Sequence, residues 1–389
     1  MKLAVYTDYV YRQAEGTVYA ERAFALFLAA LAPHVERLRL IGRLAPDGGL
    51  ARYALPPGVE LAGLPHYATL ADPVAALGSL GRSFRRLWQA LDDTDVVWVL
   101  GPYPHAIVLV AVALCRRRSV VLGVRQDWPR YVRRRRPGRR WMHWSADALE
   151  WIWRGLAHRL PVVAVGPELS AHYAHAPAVL ELVVSLVPAA ELERPGATRD
   201  YTGDLSILSV GRLDEEKNPL LLADVLALLS QDKPRWRLRV CGEGDLAGAL
   251  SSRLAELGVG ERAELLGYVP LGEELFELYR SSHALLHVSW TEGFPQVLVE
   301  AFSAGLPVVA TDVGGVRAGV DGAALLIAPG DPGAAAESLR RVAADEELRA
   351  RLTGAGRRRA AELTLEAQIG RLVEFLLSAP SSGRSARRP

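Results

Sequence analysis

The chain of 389 residues is short of lysine, cysteine and long apolar runs, and each shortage narrows what it can be. Its two cysteines, Cys115 and Cys241, end apolar runs that read as parts of different domains. They are expected to be small buried hydrophobes in a reducing compartment, not a disulfide. No set of Cys, His, Asp and Glu has metal-ligand spacing. The longest apolar run, His105–Cys115, follows Gly101, Pro102 and Pro104 and falls well below the ~20 residues that span a bilayer. The first residues, Met-Lys-Leu-Ala-Val-Tyr-Thr, turn polar too soon for a signal peptide. A cytoplasmic protein, free or attached to a surface, is the expectation. A net charge of +2 gives no general case for a nucleic-acid partner.

Lysine occurs only at positions 2, 217 and 233; the other 43 basic residues are arginine. Against that background Lys217 stands inside Gly211-Arg-Leu-Asp-Glu-Glu-Lys-Asn-Pro219. An ammonium binds phosphate as a compact point charge, and a guanidinium such as Arg212 adds bidentate hydrogen bonds. The plain alternative is an exposed charge at a helix start. Farther on, Glu292-Gly-Phe-Pro-Gln-Val-Leu-Val-Glu300 holds two carboxylates eight positions apart. His283–Ser289 before it reads as a buried strand. Pro295 is expected at the first helical position and Gly305 at the helix end. A strand, a glycine loop and a helix N-terminus make an anion site, because free N–H groups and the positive end of the dipole point outward. That chemistry suits a sugar diphosphate, with amides for charge and carboxylates for hydroxyls.

The two segments resemble the signature of retaining glycosyltransferases of the GT-B fold, family 4. The likeness continues through Ala301-Phe-Ser-Ala-Gly-Leu-Pro-Val-Val-Ala310 and Thr311-Asp-Val-Gly-Gly315, within a stretch from 204 to 375. It implies that Arg212 and Lys217 grip the donor diphosphate, that Glu292 meets the transferred sugar and that Glu300 meets the ribose. Gly211, Gly293, Phe294, Pro295 and Val297 fall into the donor site by the same match. The resemblance further implies a nucleotide-diphosphate sugar as substrate, a hydroxyl acceptor, and neither metal nor cofactor. Other GT-B enzymes (a sugar-nucleotide epimerase or a phosphorylase) and a non-catalytic partner subunit are the alternatives.

Short apolar runs alternate with helical stretches throughout, which is the pattern of an α/β protein with parallel sheets. The length suggests two domains. In the first half, strands are expected at Leu3–Thr7, Leu38–Gly42, Asp95–Leu100, Ser119–Val124, Pro161–Val165 and Leu182–Val187. Helices are expected at Val18–Leu31, Ser83–Leu91 and His143–Leu156. Residues 188–203, rich in Pro, Gly and charge, read as a linker. Strands at Leu205–Val210, Leu238–Cys241, Ala263–Leu266, His283–Ser289, Pro307–Thr311 and Ala324–Ile327 follow. The expectation is GT-B: two doubly wound Rossmann-like domains facing across a cleft, 1–190 on the acceptor side and 204–362 for the nucleotide sugar. By resemblance, the helix 363–377 returns to the first domain; 378–389, low in hydrophobes, is expected to be a disordered tail.

Further candidates follow from position after a strand. Gly242 and Gly244 after Leu238–Cys241, and Tyr268 after Ala263–Leu266, fall where related enzymes approach the nucleotide; a tight turn and simple packing are the rival readings. Gly16 is expected to open a helix and approach the donor phosphate. Asp127, after Val124-Arg125-Gln126, is a candidate to orient the acceptor hydroxyl or act as base, with a structural ion pair as the rival. His105 competes for that role, against a core or capping histidine. Arg125 joins them on the acceptor side. Six arginines, Arg133–Arg136, Arg139 and Arg140, and five tryptophans, Trp128, Trp141, Trp144, Trp151 and Trp153, crowd residues 128–153. Arginine with tryptophan suits an anionic membrane surface or an anionic acceptor. A solvated basic loop before a helix with inward tryptophans is the other reading.

Overall fold

The computed structural model describes residues 1–14, 16–45, 53–67, 73–194, 198–232 and 236–379. Lys233 and the expected tail beyond residue 379 lie outside them. The chain divides into two compact units, one formed by Met1–Val184 with the chain from Gln368 onward, the other by Ser185–Ala367.

The first unit contains the strands β1 (Lys2–Ala14), β2 (Thr17–Ala20), β3 (Arg37–Leu44), β4 (Tyr53–Ala54), β5 (Val59–Pro65), β6 (Val96–Gly101), β7 (Ser119–Val124), β8 (Val162–Val165) and β9 (Val179–Leu182). Seven run parallel in the order β5-β3-β1-β6-β7-β8-β9. The winding reverses between β1 and β6. β6, β7 and β8 are near-continuous apolar runs, as central strands of a parallel sheet covered on both faces must be.

Three expectations give way here. Val18–Leu31 is not one helix: Thr17-Val-Tyr-Ala20 pairs antiparallel with an extension of β1, and the helix is only Phe24–Ala29. Threonine, valine and tyrosine in succession favour the pleated surface. The last strand is β9, earlier than Leu182–Val187, and the Val183 amide donates to Gln368 Oε1 at 3.0 Å rather than to a neighbouring strand. β5 was not foreseen, since Val59-Glu-Leu-Ala-Gly-Leu-Pro65 carries glycine and proline. It pairs only with β3, and an edge position tolerates both residues.

The second unit holds β10 (Leu205–Val210), β11 (Trp236–Cys241), β12 (Ala263–Gly267), β13 (Ala284–His287), β14 (Val308–Thr311) and β15 (Ala324–Ile327), in the order β12-β11-β10-β13-β14-β15. Leu222, Leu226 and Leu229 of helix Leu220–Asp232 and Ala335, Leu339 and Val342 of helix Pro332–Ala344 bury against Ile207, Leu238 and Leu286. The winding reverses between β10 and β13, which pair at Ile207↔Ala284 and Leu208↔Leu285. A doubly wound sheet leaves a crevice at such a reversal, outside the carboxyl ends of its strands.

The stretch read as a linker packs on this second unit instead. Arg199 donates to the carbonyls of Ser282 (2.6 Å), Gly305 (2.7 Å) and Ala304 (3.0 Å), groups left over at two helix ends. Arg280 binds Glu191 at 2.8 Å, and Arg357 reaches the Leu192 carbonyl at 2.5 Å. The division falls at Val184/Ser185, since arginine side chains hold Glu191, Leu192 and Arg199 on the second unit. The C-terminal helix is Leu365–Ser378; from Gln368 it belongs to the first unit, with Arg371 donating to the Glu181 carbonyl at 3.0 Å. Arg199→Ala should lower the stability of the second unit by about 2 kcal/mol, since it strands partly buried carbonyls. Urea denaturation followed by circular dichroism measures this; an unchanged midpoint would count against the fastening.

Candidate functional site

The reversal between β10 and β13 brings the two sequence motifs together. Leaving β10, the chain passes Gly211 and Arg212 into a short turn, Glu215–Lys217, capped by Asp214, whose Oδ1 accepts from the Lys217 amide at 3.2 Å. Asn218 takes the left-handed conformation (φ 51°) that asparagine tolerates. Leaving β13, the chain passes Ser289 and Glu292 into helix Gln296–Ser303. Pro295 is the extended residue just before that helix, not its first helical position, and Gly305 takes the left-handed conformation after its end. The Trp290 amide donates to the Glu216 carbonyl at 2.9 Å, so the motifs are tied through backbone as well as side chains.

Lys217 Nζ lies 2.5 Å from Glu292 Oε1, with the lysine 19% and the glutamate 8% exposed. The same oxygen accepts from Ser289 Oγ at 2.7 Å, and His287 Nε2 is 3.1 Å away. Burial alone would raise the Glu292 pKa, but His287 and Lys217 outweigh it and hold the group at about 2. Glu292 is therefore a carboxylate at any physiological pH. Arg212 is more exposed and pairs with Asp214 and Glu216. Glu216 stands between the two cations, 3.3 Å from Arg212 and 3.7 Å from Lys217. A small recess lined by Gly211, Arg212, Lys217, His287 and Ser289 opens beside them.

Glu300, on helix Gln296–Ser303, is 6% exposed and accepts from Tyr279 Oη at 2.6 Å. Burial pushes its pKa up to about 6, with the tyrosine bond opposing. The loops after β10 and β11 touch backbone to backbone. A Cβ on Gly242 would lie 1.8 Å from the Gly211 carbonyl oxygen, and one on Gly244 would lie 2.3 Å from that of Leu213. These glycines make a close approach, so their packing role is on view. Gly314 does the same for the Glu292 loop, its missing Cβ falling 1.8 Å from the Glu292 carbonyl oxygen. Gly293 and Tyr268 are exposed; Phe294 and Val297 are half-buried, and Phe294 lies against Gly319.

The remaining candidates belong to the first unit. Gly16 (φ 78°) turns the hairpin from β1 to β2, where Ala14 pairs with Thr17, and opens no helix. His105 does lie in the first turn of a helix, Pro104–Cys115, but is buried, stacked on Tyr67 with ring centroids 5.1 Å apart. Burial and then Arg43 lower its pKa to about 4, leaving the imidazole neutral at pH 7. The Arg125 guanidinium sits 3.7 Å over the Phe24 ring, and burial lowers its pKa to about 10. Asp127 is exposed and caps helix Trp128–Arg135, its Oδ1 accepting from the Arg130 amide at 2.9 Å.

The sequence reading passed over His287, Ser289, Glu216 and Tyr279. The first two end the strand that precedes Glu292, so their place at a carboxyl edge was a usable signal. Tyr279 lies on another helix, 21 positions before Glu300, and no local pattern announces the pair. Among the described residues no group of three or more His, Cys, Asp and Glu is placed to hold a metal ion, and no helix is long and apolar enough to cross a membrane.

Residues 193–359, which hold every one of these second-unit groups, match the family described as glycosyl transferases group 1. This stretch is similar to the group 1 glycosyl transferases. D-inositol 3-phosphate glycosyltransferase from Corynebacterium jeikeium is 33% identical over 190 residues, 46% of this chain and 45% of the relative. The chain's matches span less than half the length of the curated relatives. Sucrose-phosphate synthase from Thermosynechococcus elongatus superposes with a TM-score of 0.70 at 18% identity, covering 97% of this chain and 100% of that one. Anabaena HepE in complex with UDP-glucose gives 0.67 at 18% identity, with the same coverage. The fold is GT-B.

The ionised Glu300 is costly in this setting. Because the folded state holds its proton more tightly than the unfolded chain, stability falls as pH rises between about 4.5 and about 6, by about 2 kcal/mol in all. Glu300→Gln keeps an acceptor for Tyr279 without the charge. It should be more stable than the parent at pH 7 by up to about 2 kcal/mol and equal to it near pH 4. Denaturation curves at the two pH values decide this, and a pH-independent difference would refute the buried-carboxyl assignment.

Proposed function

We propose that the chain moves a sugar from a nucleotide-diphosphate sugar to an acceptor hydroxyl, retaining anomeric configuration and using no metal ion. The observation that carries this reading is the convergence of Arg212, Lys217 and Glu292 at the crevice between β10 and β13, inside the stretch similar to the group 1 glycosyl transferases. A diphosphate placed there takes over the cations that Glu216 now neutralises. As the bond from the anomeric carbon to the diphosphate breaks, negative charge grows on the leaving oxygen, and fixed cations in a shielded site stabilise it. That is the service a divalent cation renders in other phosphate chemistry. Glu292, locked as a carboxylate, accepts from sugar hydroxyls; Glu300 accepts from the ribose. Gly293 and Phe294 offer amides beside the helix start. Retention rests on the family resemblance and has the acceptor enter on the leaving-group side.

The acceptor hydroxyl falls to the first unit. Asp127 is its exposed carboxylate among the candidates, and we prefer it to the buried His105 for orienting that hydroxyl.

Thermal shift against a panel of nucleotide sugars, beginning with the UDP-glucose bound by Anabaena HepE, tests the donor. One donor should raise the midpoint by several degrees, an amount set by concentration over Kd. With that donor, Lys217→Ala should cut turnover by about 10² to 10³, the cost of removing one preorganised charge from a transition state. It should also destabilise the fold, since it leaves the Glu292 carboxylate buried without its ammonium. Chelation by EDTA should leave turnover unchanged. Near-normal turnover of the lysine variant, or loss on chelation, defeats the mechanism.

A further inference from the structure

The crowded segment at 128–153 resolves into two different surfaces. Helix Arg140–Ala157 buries Ala146, Trp153 and Ala157 on one side. Its opposite side exposes Trp141, Trp144, Ala148, Trp151, Ile152 and Gly155, with Trp144 68% and Trp151 78% exposed. At 100° per residue those six positions fall within an arc of about 100°, a continuous apolar stripe facing solvent. Of the five tryptophans only Trp153 is fully buried, so the inward-packing reading fails for the three on this stripe. No acidic residue occupies the arc: Asp147 lies beside it and is held by Arg133 at 2.6 Å, while Glu150 is engaged by Tyr173 and His172.

The basic residues cluster in the chain at and just before the helix's N-terminal end. Arg134, Arg135, Arg136, Arg139 and Arg140 are exposed, and among the described residues none of the five is joined to a carboxylate by an ion pair. Exposed guanidiniums at the end of an exposed indole stripe match the layering of an anionic leaflet, with phosphates at the surface and the indole zone just beneath. A soluble protein partner would need a complementary acidic and apolar patch, and nothing about this face favours one. A free phosphate ligand would leave the indoles unused.

We propose that helix Arg140–Ala157 docks flat on a bilayer rich in anionic phospholipid, with Trp141, Trp144 and Trp151 at headgroup depth and Arg134–Arg140 on lipid phosphates. The first unit then works at a membrane surface. This goes beyond the transferase reading and does not require it, because docking needs no donor and no turnover.

The test uses the full chain and vesicles of phosphatidylcholine with or without about one third phosphatidylglycerol. Co-sedimentation and quenching of tryptophan fluorescence by brominated lipid are read together. The parent should bind the anionic vesicles, be quenched, and lose roughly tenfold in partition when salt is raised to 0.5 M. W144S/W151S should lower partition roughly tenfold by removing apolar contact. R134Q/R135Q/R136Q should reduce the salt dependence to the share left by Arg139 and Arg140. All these side chains are exposed, so thermal midpoints should stay at the parent value and show that the variants are folded. Binding of the parent equal with and without phosphatidylglycerol, absence of quenching, or parent-like partition of both variants would overturn the proposal. So would an indole-dependent dimer in light scattering with no vesicle binding.

Discussion

The part-buried pair of Lys217 and Glu292 is the interaction on which the second unit's crevice depends. A carboxylate so enclosed cannot stay ionised without a cation and hydrogen-bond donors, and here the cation comes from one motif while the carboxylate comes from the other. The pair therefore does two jobs at once. It sets the distance between the segments that leave β10 and β13, and it keeps an acceptor ready in a place shielded from water. Gly314 closes the third side, since any side chain there would collide with the Glu292 backbone. Charge, glycine and strand reversal each fix one coordinate of the same loop.

The preference for arginine elsewhere makes sense beside this. Arg199, Arg349, Arg357 and Arg359 all spend their donors on backbone carbonyls, several of them at helix ends. A forked guanidinium satisfies two or three such oxygens at once, whereas an ammonium acts as a point charge. At Glu292, whose Oε1 is met at 2.5 Å in a part-buried setting, the cation is a lysine.

The second unit was largely legible from sequence. β10 and β15 begin and end where the apolar runs do, and the Glu292–Glu300 segment needed only one adjustment, at Pro295. The reason is that both faces of that sheet are covered, so strand and apolar run coincide. The first unit was harder to read. A strand extended past the sheet by a hairpin, and an edge strand containing glycine and proline, are decided by pairing partners that no local window contains. The boundary near residue 185 was misread for a related reason: composition marks a stretch as loop-like, but the guanidiniums that hold it come from Arg280 and Arg357, far along the chain. Burial of Glu300 against Tyr279 has the same character.

The first unit is assembled from two stretches far apart in the chain, with Gln368 binding the amide at Val183 and Arg371 the carbonyl at Glu181. A ribosome delivers residues 1–184 first, yet the helix that completes their surface emerges only after the whole intervening body has been made. The early-made portion must wait with one flank uncovered, so vectorial synthesis favours the second body finishing first. A rearranged order in which the stretch from Gln368 is made next to residues 1–184 would remove that wait.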